Sequence, residues 1–389
     1  GCETYANDYN PVAVLIEKAV LEYPIKHGYK GISDPQGNEN LKYLPEKDNV
    51  FVSDLKKWGD ILINEVKEEL KRFYPNDPDG STPIAYIWAR TLPCQNPSCG
   101  AEIPLMRQYW LSNKSNKVIS LYPFIEKNKI NFKIVGRGYE EIPKDFNPGQ
   151  GTISKAIVTC PICGATINSR DTRKLFQEKK SGQRLILLVT TKKKHVGKKY
   201  RVANEEDYNI FLESEKYLKE KIGILNKKWG IVCVPDELIT TPSHDIDRPP
   251  MYGMKSWGDL YNSRQKLSII CFIDSMKEMH NLILKENKDE EYTKAIMSFF
   301  GVAIDRLADK NSVLCNYIVK TEAIGYTYKR QALPMLWDYV EMNPLDNNSG
   351  WNGTLDDLYT NLSHISKIKN YATVTQSSAT NLPYPDNFF

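Results

Sequence analysis

Gly1-Cys-Glu-Thr-Tyr-Ala-Asn-Asp8-Tyr9-Asn-Pro-Val-Ala13 opens the chain, and its reading decides the fold. Thr4 to Asn7 has the side chains of a short strand, Asp8 stands at its carboxyl end, and Asn10 is a good N-cap. Pro11 takes the first helical position, where a missing N–H costs nothing. Beyond it Val12, Leu15, Ile16, Ala19, Val20 and Tyr23 recur at three- and four-residue spacing and predict one apolar helix face. In doubly wound α/β sheets ligands bind at the carboxyl ends of strands, where an acid accepts hydrogen bonds from both ribose hydroxyls of a nucleotide-like cofactor. Asp8 is then the ribose acid and Tyr9 an apolar wall beside the adenine. The plain alternative is an ordinary strand–turn–helix with a solvated Asp.

The end of the chain returns to the same theme. Asn370-Tyr-Ala-Thr-Val-Thr-Gln376 reads as a β-branched strand, followed by an irregular exit through Ser377-Ser-Ala-Thr380. Between the two ends, Lys26 to Asn49 is polar and aperiodic and reads as a connection. Leu55, Trp58, Leu62, Val66, Leu70 and Phe73 form a helical stripe behind the N-cap candidate Ser53, stopped by Pro75-Asn-Asp-Pro-Asp-Gly-Ser-Thr-Pro83.

The strongest chemical signal comes next. Cys94-Gln-Asn-Pro-Ser-Cys99-Gly100 and Cys160-Pro-Ile-Cys163-Gly164 are two cysteine knuckles, each closed by a Gly that lets the backbone turn its amides onto the thiolates. Two such pairs satisfy tetrahedral zinc with no open position, which marks a structural site. The long gap between them implies an excursion of strands and loops from Pro104 to Gly151, and four free thiols are the alternative. Cys2, Cys233, Cys271 and Cys315 are scattered and read as small buried hydrophobes.

From Arg170 to Arg201 the chain is dense in Lys and Arg. Leu185-Ile-Leu-Leu-Val189 and Tyr200-Arg-Val202 flank Lys192, Lys193, Lys194, Lys198 and Lys199, predicting a β-hairpin whose basic tip contacts nucleic-acid phosphates or, alternatively, keeps a sheet edge soluble. After Glu205 three helical stripes follow: Tyr208 to Ile222, Leu267 to Ile283 and Tyr292 to Leu307. Arg264-Gln265 and Arg330-Gln331 stand out as long polar pairs in apolar, helical surroundings, suited either to a base or phosphate or to helix–helix bonding. His244 beside Asp245 falls in a loop and reads as solvated.

With 389 residues the chain has room for two or three domains. No apolar run approaches a membrane span of ~20 residues, and the net charge of +4 is too small to identify a nucleic-acid partner by itself. Paired cysteines in such a composition favour metal over disulfides and fit a cytoplasmic protein.

The opening thirteen residues resemble the second motif block of class I S-adenosylmethionine-dependent methyltransferases. They are most similar to the zinc-ribbon-containing family of adenine-specific DNA methylases. The likeness continues, in the family's order, through Tyr86-Ile-Trp-Ala-Arg-Thr91, Trp257-Gly-Asp-Leu260, Arg264-Gln265, Asp305-Arg-Leu-Ala-Asp309, Arg330-Gln-Ala-Leu-Pro-Met335 and Ser378-Ala-Thr-Asn-Leu-Pro383. It implies an α/β fold whose Rossmann-like sheet is split between residues 1–25 and 370–389, with a zinc ribbon and basic β-hairpin over 84–203. Mainly helical insertion over 26–83 and 204–369 completes the expected arrangement. It also implies methyl transfer from S-adenosylmethionine to an exocyclic base amine, adenine N6 in DNA, with cytosine N4 or RNA as other substrates. Asp8, Tyr9, Ser378 and Ala379 would lie against the cofactor. The family's glycine-rich block falls before Gly1 and its Asp-Pro-Pro-Tyr block after Phe389, so the resemblance makes the chain an internal fragment, inactive alone. Asp247-Arg-Pro-Pro-Met-Tyr252 lacks the contiguity that block requires. A non-catalytic zinc-ribbon module that binds nucleic acid is the reading from a different class.

Overall fold

Local chemistry at the amino end acts as the sequence predicts. In the computed structural model, which describes residues 3–29, 49–193, 196–243, 245–385 and 388, the Asn10 side chain accepts from the Val12 amide and Pro11 opens the first helix.

Along the chain the elements are β1 (Tyr5–Asp8), α1 (Pro11–Glu17, continued by a π turn over Lys18–Glu22), α2 (Tyr23–His27) and α3 (Val50–Leu70). Then come β2 (Thr82–Pro93), β3 (Glu102–Leu105), β4 (Trp110–Lys114), β5 (Lys117–Glu126), β6 (Lys129–Gly136), β7 (Ile153–Ser154), β8 (Ile157–Thr159) and β9 (Thr166–Ile167). α4 (Ser169–Gln177), β10 (Gly182–Thr191), β11 (Lys199–Val202), α5 (Glu205–Trp229), α6 (Arg248–Met251), α7 (Ser263–Asn287) and α8 (Glu290–Asp309) follow. β12 (Tyr317–Ile318), β13 (Ala323–Ile324), β14 (Asp338–Met342), α9 (Trp351–Ile365) and β15 (Thr373–Gln376) complete a mixed α/β chain with several small sheets.

The chain divides into two units, one of residues 1–69, 271–306 and 351–389, the other of 70–270 and 307–350. In the first, β1 and β15 pair in parallel, Tyr5 opposite Thr373 and Asp8 opposite Gln376. α1 packs on this pair through Val14, which meets Ala6, Ala372 and Val374. The expected apolar face is buried only in part. Val12, Leu15, Ile16 and Val20 are exposed, at 61%, 36%, 56% and 44%, while Ala19 and Tyr23 of the expected face are buried together with Val14 and Glu22. Two short strands offer little surface, and the helix docks where Glu22 accepts from the Val374 amide and the Leu21 carbonyl accepts from Ala372.

The rest of this unit is a helical core. Phe51, Leu55, Trp58, Leu62 and Val66 of α3 are buried, as are Phe299 and Phe300 of α8. The Trp351 ring of α9 lies 4.9 Å from Phe272 and 6.0 Å from Phe300. Asn49, not Ser53, caps α3: its side chain accepts from the Val52 amide, so the helix begins a turn earlier than expected.

The second unit is built on β2, a strand long enough to serve two sub-structures. β10 pairs with it from Gly182–Thr91 to Thr191–Thr82 with two register shifts, and β14 pairs on its other side. The sheet order is β11-β10-β2-β14, all antiparallel, with β3 on the far end of β2. Ile87, Ala89, Leu187, Val189 and Val340 share a core with Leu111, Ile119, Leu121 and Phe132 of the separate β4-β5-β6 sheet. That sheet is the excursion expected between the cysteine pairs. Trp88 meets Phe211 of α5, ring centroids 4.5 Å apart. α5 starts at a capping box of Asn204 with Asp207 and stops at Gly230, φ +68°. β14 and the 330–337 segment are not helical, although helix was expected through 204–369.

Candidate functional site

β2 delivers the first knuckle and the β8–β9 turn the second. The Cys94 amide donates to the Ala101 carbonyl at 2.8 Å, and the amides of Cys99 and Gly100 converge on the Asn96 carbonyl at 2.9 and 3.1 Å. The Cys160 amide donates to Ala165 and the Gly164 amide to Cys160, both at 2.9 Å. Gly100 and Gly164 both take left-handed backbone, φ +58° and +72°, which an L side chain resists. The turns aim the amides of Asn96, Ala101 and Ala165 at the sulfurs of Cys94, Cys99 and Cys163.

The four Sγ atoms lie within 4.8 Å of one another. Cys94 Sγ is 3.6 Å from Cys163 Sγ and Cys99 Sγ is 3.9 Å from Cys160 Sγ. A thiolate tetrahedron with metal–sulfur bonds of ~2.3 Å has edges of about 3.8 Å. The set therefore has the size and donor chemistry to hold one tetrahedral metal ion such as zinc, with no position left for a substrate. Burial pushes the Cys94 thiol up to about 12, while the Ala165 amide draws Cys163 down to about 7. Leu92, Ile103, Leu105, Val158, Ile167 and Phe176 form the small core behind the knuckles.

At the other candidate site, Asp8 and Ser378 emerge at the same carboxyl edge. The Ser377 amide donates to the Asp8 carbonyl at 3.2 Å, and the Asn7 side chain to the Ser377 carbonyl at 3.1 Å. Asp8 Oδ1 accepts from the Asn10 amide at 2.7 Å. The Ser378 hydroxyl bonds that of Thr380 at 2.8 Å, Ala379 is exposed, and Tyr9 stands 77% exposed.

The predicted hairpin is present as β10 and β11, but its lysines do not form one free tip. Lys192 pairs with Asp79 at 3.3 Å and Lys193 and Lys199 are exposed. Lys198 is half-buried and donates to the Glu322 carbonyl. Lys194, like His244 and Cys2, lies outside the described residues. Cys233, Cys271 and Cys315 are buried, as expected.

Arg264 is not available to a base or phosphate. It is 1% exposed and grips the fully buried Glu341 of β14 through Nε at 2.6 Å and Nη2 at 3.1 Å. Trp88 Nε1 at 2.9 Å and Asn262 Nδ2 at 3.1 Å donate to the same carboxylate, and the guanidinium lies 4.0 Å from the Tyr86 ring centroid. Gln265 accepts from the Asn262 amide. Arg330 and Gln331 are exposed on a non-helical segment. Glu341 escaped the sequence reading, although an acid inside Tyr339-Val-Glu-Met342 is a signal of a buried partner.

No helix among the described residues is long and apolar enough to cross a membrane. No protein-family model, curated protein or solved structure matches the chain.

Proposed function

We propose that the chain is part of a methyltransferase that uses S-adenosylmethionine to methylate an exocyclic base amine, adenine N6 in DNA, and that the four paired cysteines hold structural zinc. One observation carries the enzymatic part. Two strands from opposite ends of the chain pair in parallel and bring Asp8 and Ser378 to one carboxyl edge. That is where a Rossmann-like sheet binds its nucleotide.

When bound, S-adenosylmethionine supplies an electrophilic methyl group. This chain's part is to hold its nucleoside end. Asp8 keeps acceptor capacity for ribose hydroxyls beyond the one bond from Asn10, since a carboxylate has about four acceptor sites. The Ser378 hydroxyl and the Ala379 backbone stand beside it for the adenine, and the Tyr9 ring is exposed for stacking. The exposed stripe of Val12, Leu15, Ile16 and Val20 adds support, because parallel sheets occur with both faces covered and a complete sheet would cover it. Thiolates kept as metal ligands suit a reducing compartment such as the cytoplasm.

The test is nucleoside mass spectrometry on DNA treated with labelled S-adenosylmethionine. The protein should carry the glycine-rich and Asp-Pro-Pro-Tyr segments that this function requires on either side. N6-methyladenine is the expected product, with N4-methylcytosine or a methylated RNA base redirecting the substrate assignment. Asp8→Ala should raise the KM for S-adenosylmethionine by roughly tenfold or more, the worth of a hydrogen bond to a charged group. A folded protein that methylates neither DNA nor RNA refutes the enzymatic reading. The cysteine cluster and the β10–β11 hairpin occupy the other unit, so their presence favours, in that event, a zinc-ribbon module that binds nucleic acid without catalysis.

A further inference from the structure

Three hairpin turns meet in the second unit: the β4–β5 turn, the β10–β11 segment and the β12–β13 turn. Glu322, in the last of them, ties them together. Its carboxylate contacts Lys114 Nζ at 2.5 Å and Lys117 Nζ at 2.6 Å and accepts from the Tyr200 hydroxyl at 2.5 Å. Its backbone carbonyl accepts from Lys198, and Lys117 also donates to the Lys198 carbonyl at 2.7 Å. Glu322 is buried and takes left-handed backbone, φ +53°, a conformation that persists where surrounding contacts over-determine it.

Salt bridging alone leaves this arrangement over-supplied with positive charge. Two of the three ammonium groups, Lys114 and Lys117, share one contacting carboxylate, and Lys198 meets the Glu322 carbonyl. Each carries three N–H donors. Of nine, four are used by the bonds above among the described residues, which leaves five open. Lys114 and Lys117 keep 36% and 23% of their side-chain surface exposed. Asp346 also acts on Lys198, but its Oδ2 already accepts from the Asn348 and Ser349 amides and the Ser349 hydroxyl. Lys193 and Lys199 are exposed elsewhere on the hairpin, and Lys192 is paired with Asp79. Three clustered ammonium groups with spare donors suit phosphate oxygens.

We infer that Lys114, Lys117 and Lys198, gathered by Glu322, are a contact for the phosphodiester backbone of nucleic acid. This rests on the nucleic-acid partner proposed above, and places the contact at the foot of the hairpin where three turns converge. Glu322 is a positioning residue: it sets the lysines without touching phosphate.

The experiment is anisotropy of a fluorescein-labelled duplex titrated with the protein over a range of salt, without S-adenosylmethionine. Lys114→Gln and Lys117→Gln are made together with Glu322→Gln, so that no carboxylate is left buried without its cations. The slope of log K against log salt should flatten by about 1.8, the loss of two phosphate contacts, with affinity falling roughly sixty-fold at 0.1 M salt. Lys114→Arg with Lys117→Arg should keep the slope. On the unaltered protein, duplex should protect Lys114, Lys117 and Lys198 from acetylation read by mass spectrometry. That readout holds even if the triple variant fails to fold. An unchanged slope in a folded triple variant, or unprotected lysines at saturating duplex, overturns the assignment. So does lysine-dependent binding to phosphatidylserine vesicles with none to duplex. Duplex binding here, with no methyl transfer by protein carrying the glycine-rich and Asp-Pro-Pro-Tyr segments, would strike the enzymatic reading and leave this one standing.

Discussion

With zinc held by the cysteine cluster, as proposed, stripping it should dismantle a bounded part of the second unit. Its strands are too short to stand alone: β7 and β9 have two residues each and β8 has three. Their side chains reach a small core, Leu92, Ile103, Leu105, Val158 and Ile167, whose two halves come from the two knuckles. The sulfurs are spaced for a tetrahedral ion, and such an ion contributes on the order of 10 kcal/mol to isolated zinc folds. That is comparable with the whole stability of a domain, about 5–15 kcal/mol. Loss of the ion therefore exceeds what the small core can offset. Emission spectrometry should find close to one zinc per chain, and Cys160→Ser should abolish it while Cys233→Ser and Cys315→Ser do not. In hydrogen exchange with a chelator, amides of Cys94, Cys160 and β3 should lose protection. Leu187 to Val189 of β10, paired with the middle of β2, should keep theirs. A well-folded preparation free of metal, or ribbon amides still protected after chelation, would refute the assignment of a structural ion.

Other consequences concern the frame that holds the sites. Arg264→Met leaves the Glu341 carboxylate buried with only neutral donors. It should cost about 3–5 kcal/mol in urea unfolding, less than additive with Glu341→Met, and a cost under about 1 kcal/mol would show the pair is dispensable. Burial raises the Glu322 carboxyl, but Lys114, Lys117 and Tyr200 outweigh it and hold it at about 2 against an ordinary 4.5. Its folded-state value is depressed, so its stabilisation is complete above pH 4.5 and disappears as pH falls toward 2. Thermal melts of the native chain and Glu322→Gln should converge across that window, and a constant difference would contradict the network. Gly164→Ala meets nothing within 4 Å and should cost only the left-handed backbone, ~1–2 kcal/mol. Gly151→Ala should be worse, because its Cβ would sit 1.9 Å from the Met106 carbonyl oxygen; equal melting temperatures would speak against that close approach.

What could be read in advance was chemistry that acts over a few residues. The knuckles were legible because Cys, Gly and their spacing specify the turn and its amide donors without help from the rest of the fold. Asn10-Pro11 and the hairpin strands were legible for the same reason. Long-range choices were not. Arg264 finds its acid 77 residues away, and nothing in the spacing of Arg264 and Gln265 distinguishes a buried clamp from a ligand contact. The lysines of the hairpin looked equivalent in sequence, yet Lys198 is half-buried against the carbonyl that Glu322 offers from a distant turn.

The opening helix shows how the two scales collide. Judged by periodicity, Val12, Leu15, Ile16 and Val20 belong with Ala19 and Tyr23 to one core stripe, which has no place for Glu22. The helix buries only Ala19 and Tyr23 of it, with Val14 and Glu22, because β1 and β15 expose only a narrow face and because Glu22 satisfies the Val374 amide. An apolar stripe at the surface costs roughly 25 cal/mol for each Å² left in water. A two-stranded parallel pair is the smallest surface that can order such a helix, and parallel sheets are otherwise buried on both faces. Under the proposed function both oddities have one cause: the stripe is patterned for a wider sheet, in which a second layer covers Val12, Leu15, Ile16 and Val20 while Asp8 and Ser378 stay at the open carboxyl edge. Replacing Leu15 and Ile16 with Ser should then leave the β1–β15 pairing and zinc content of this chain unchanged while impairing methyl transfer by the extended protein. Equal loss of the pairing itself, seen as lost exchange protection at Ala6 and Val374, would place the stripe in this chain's own core instead.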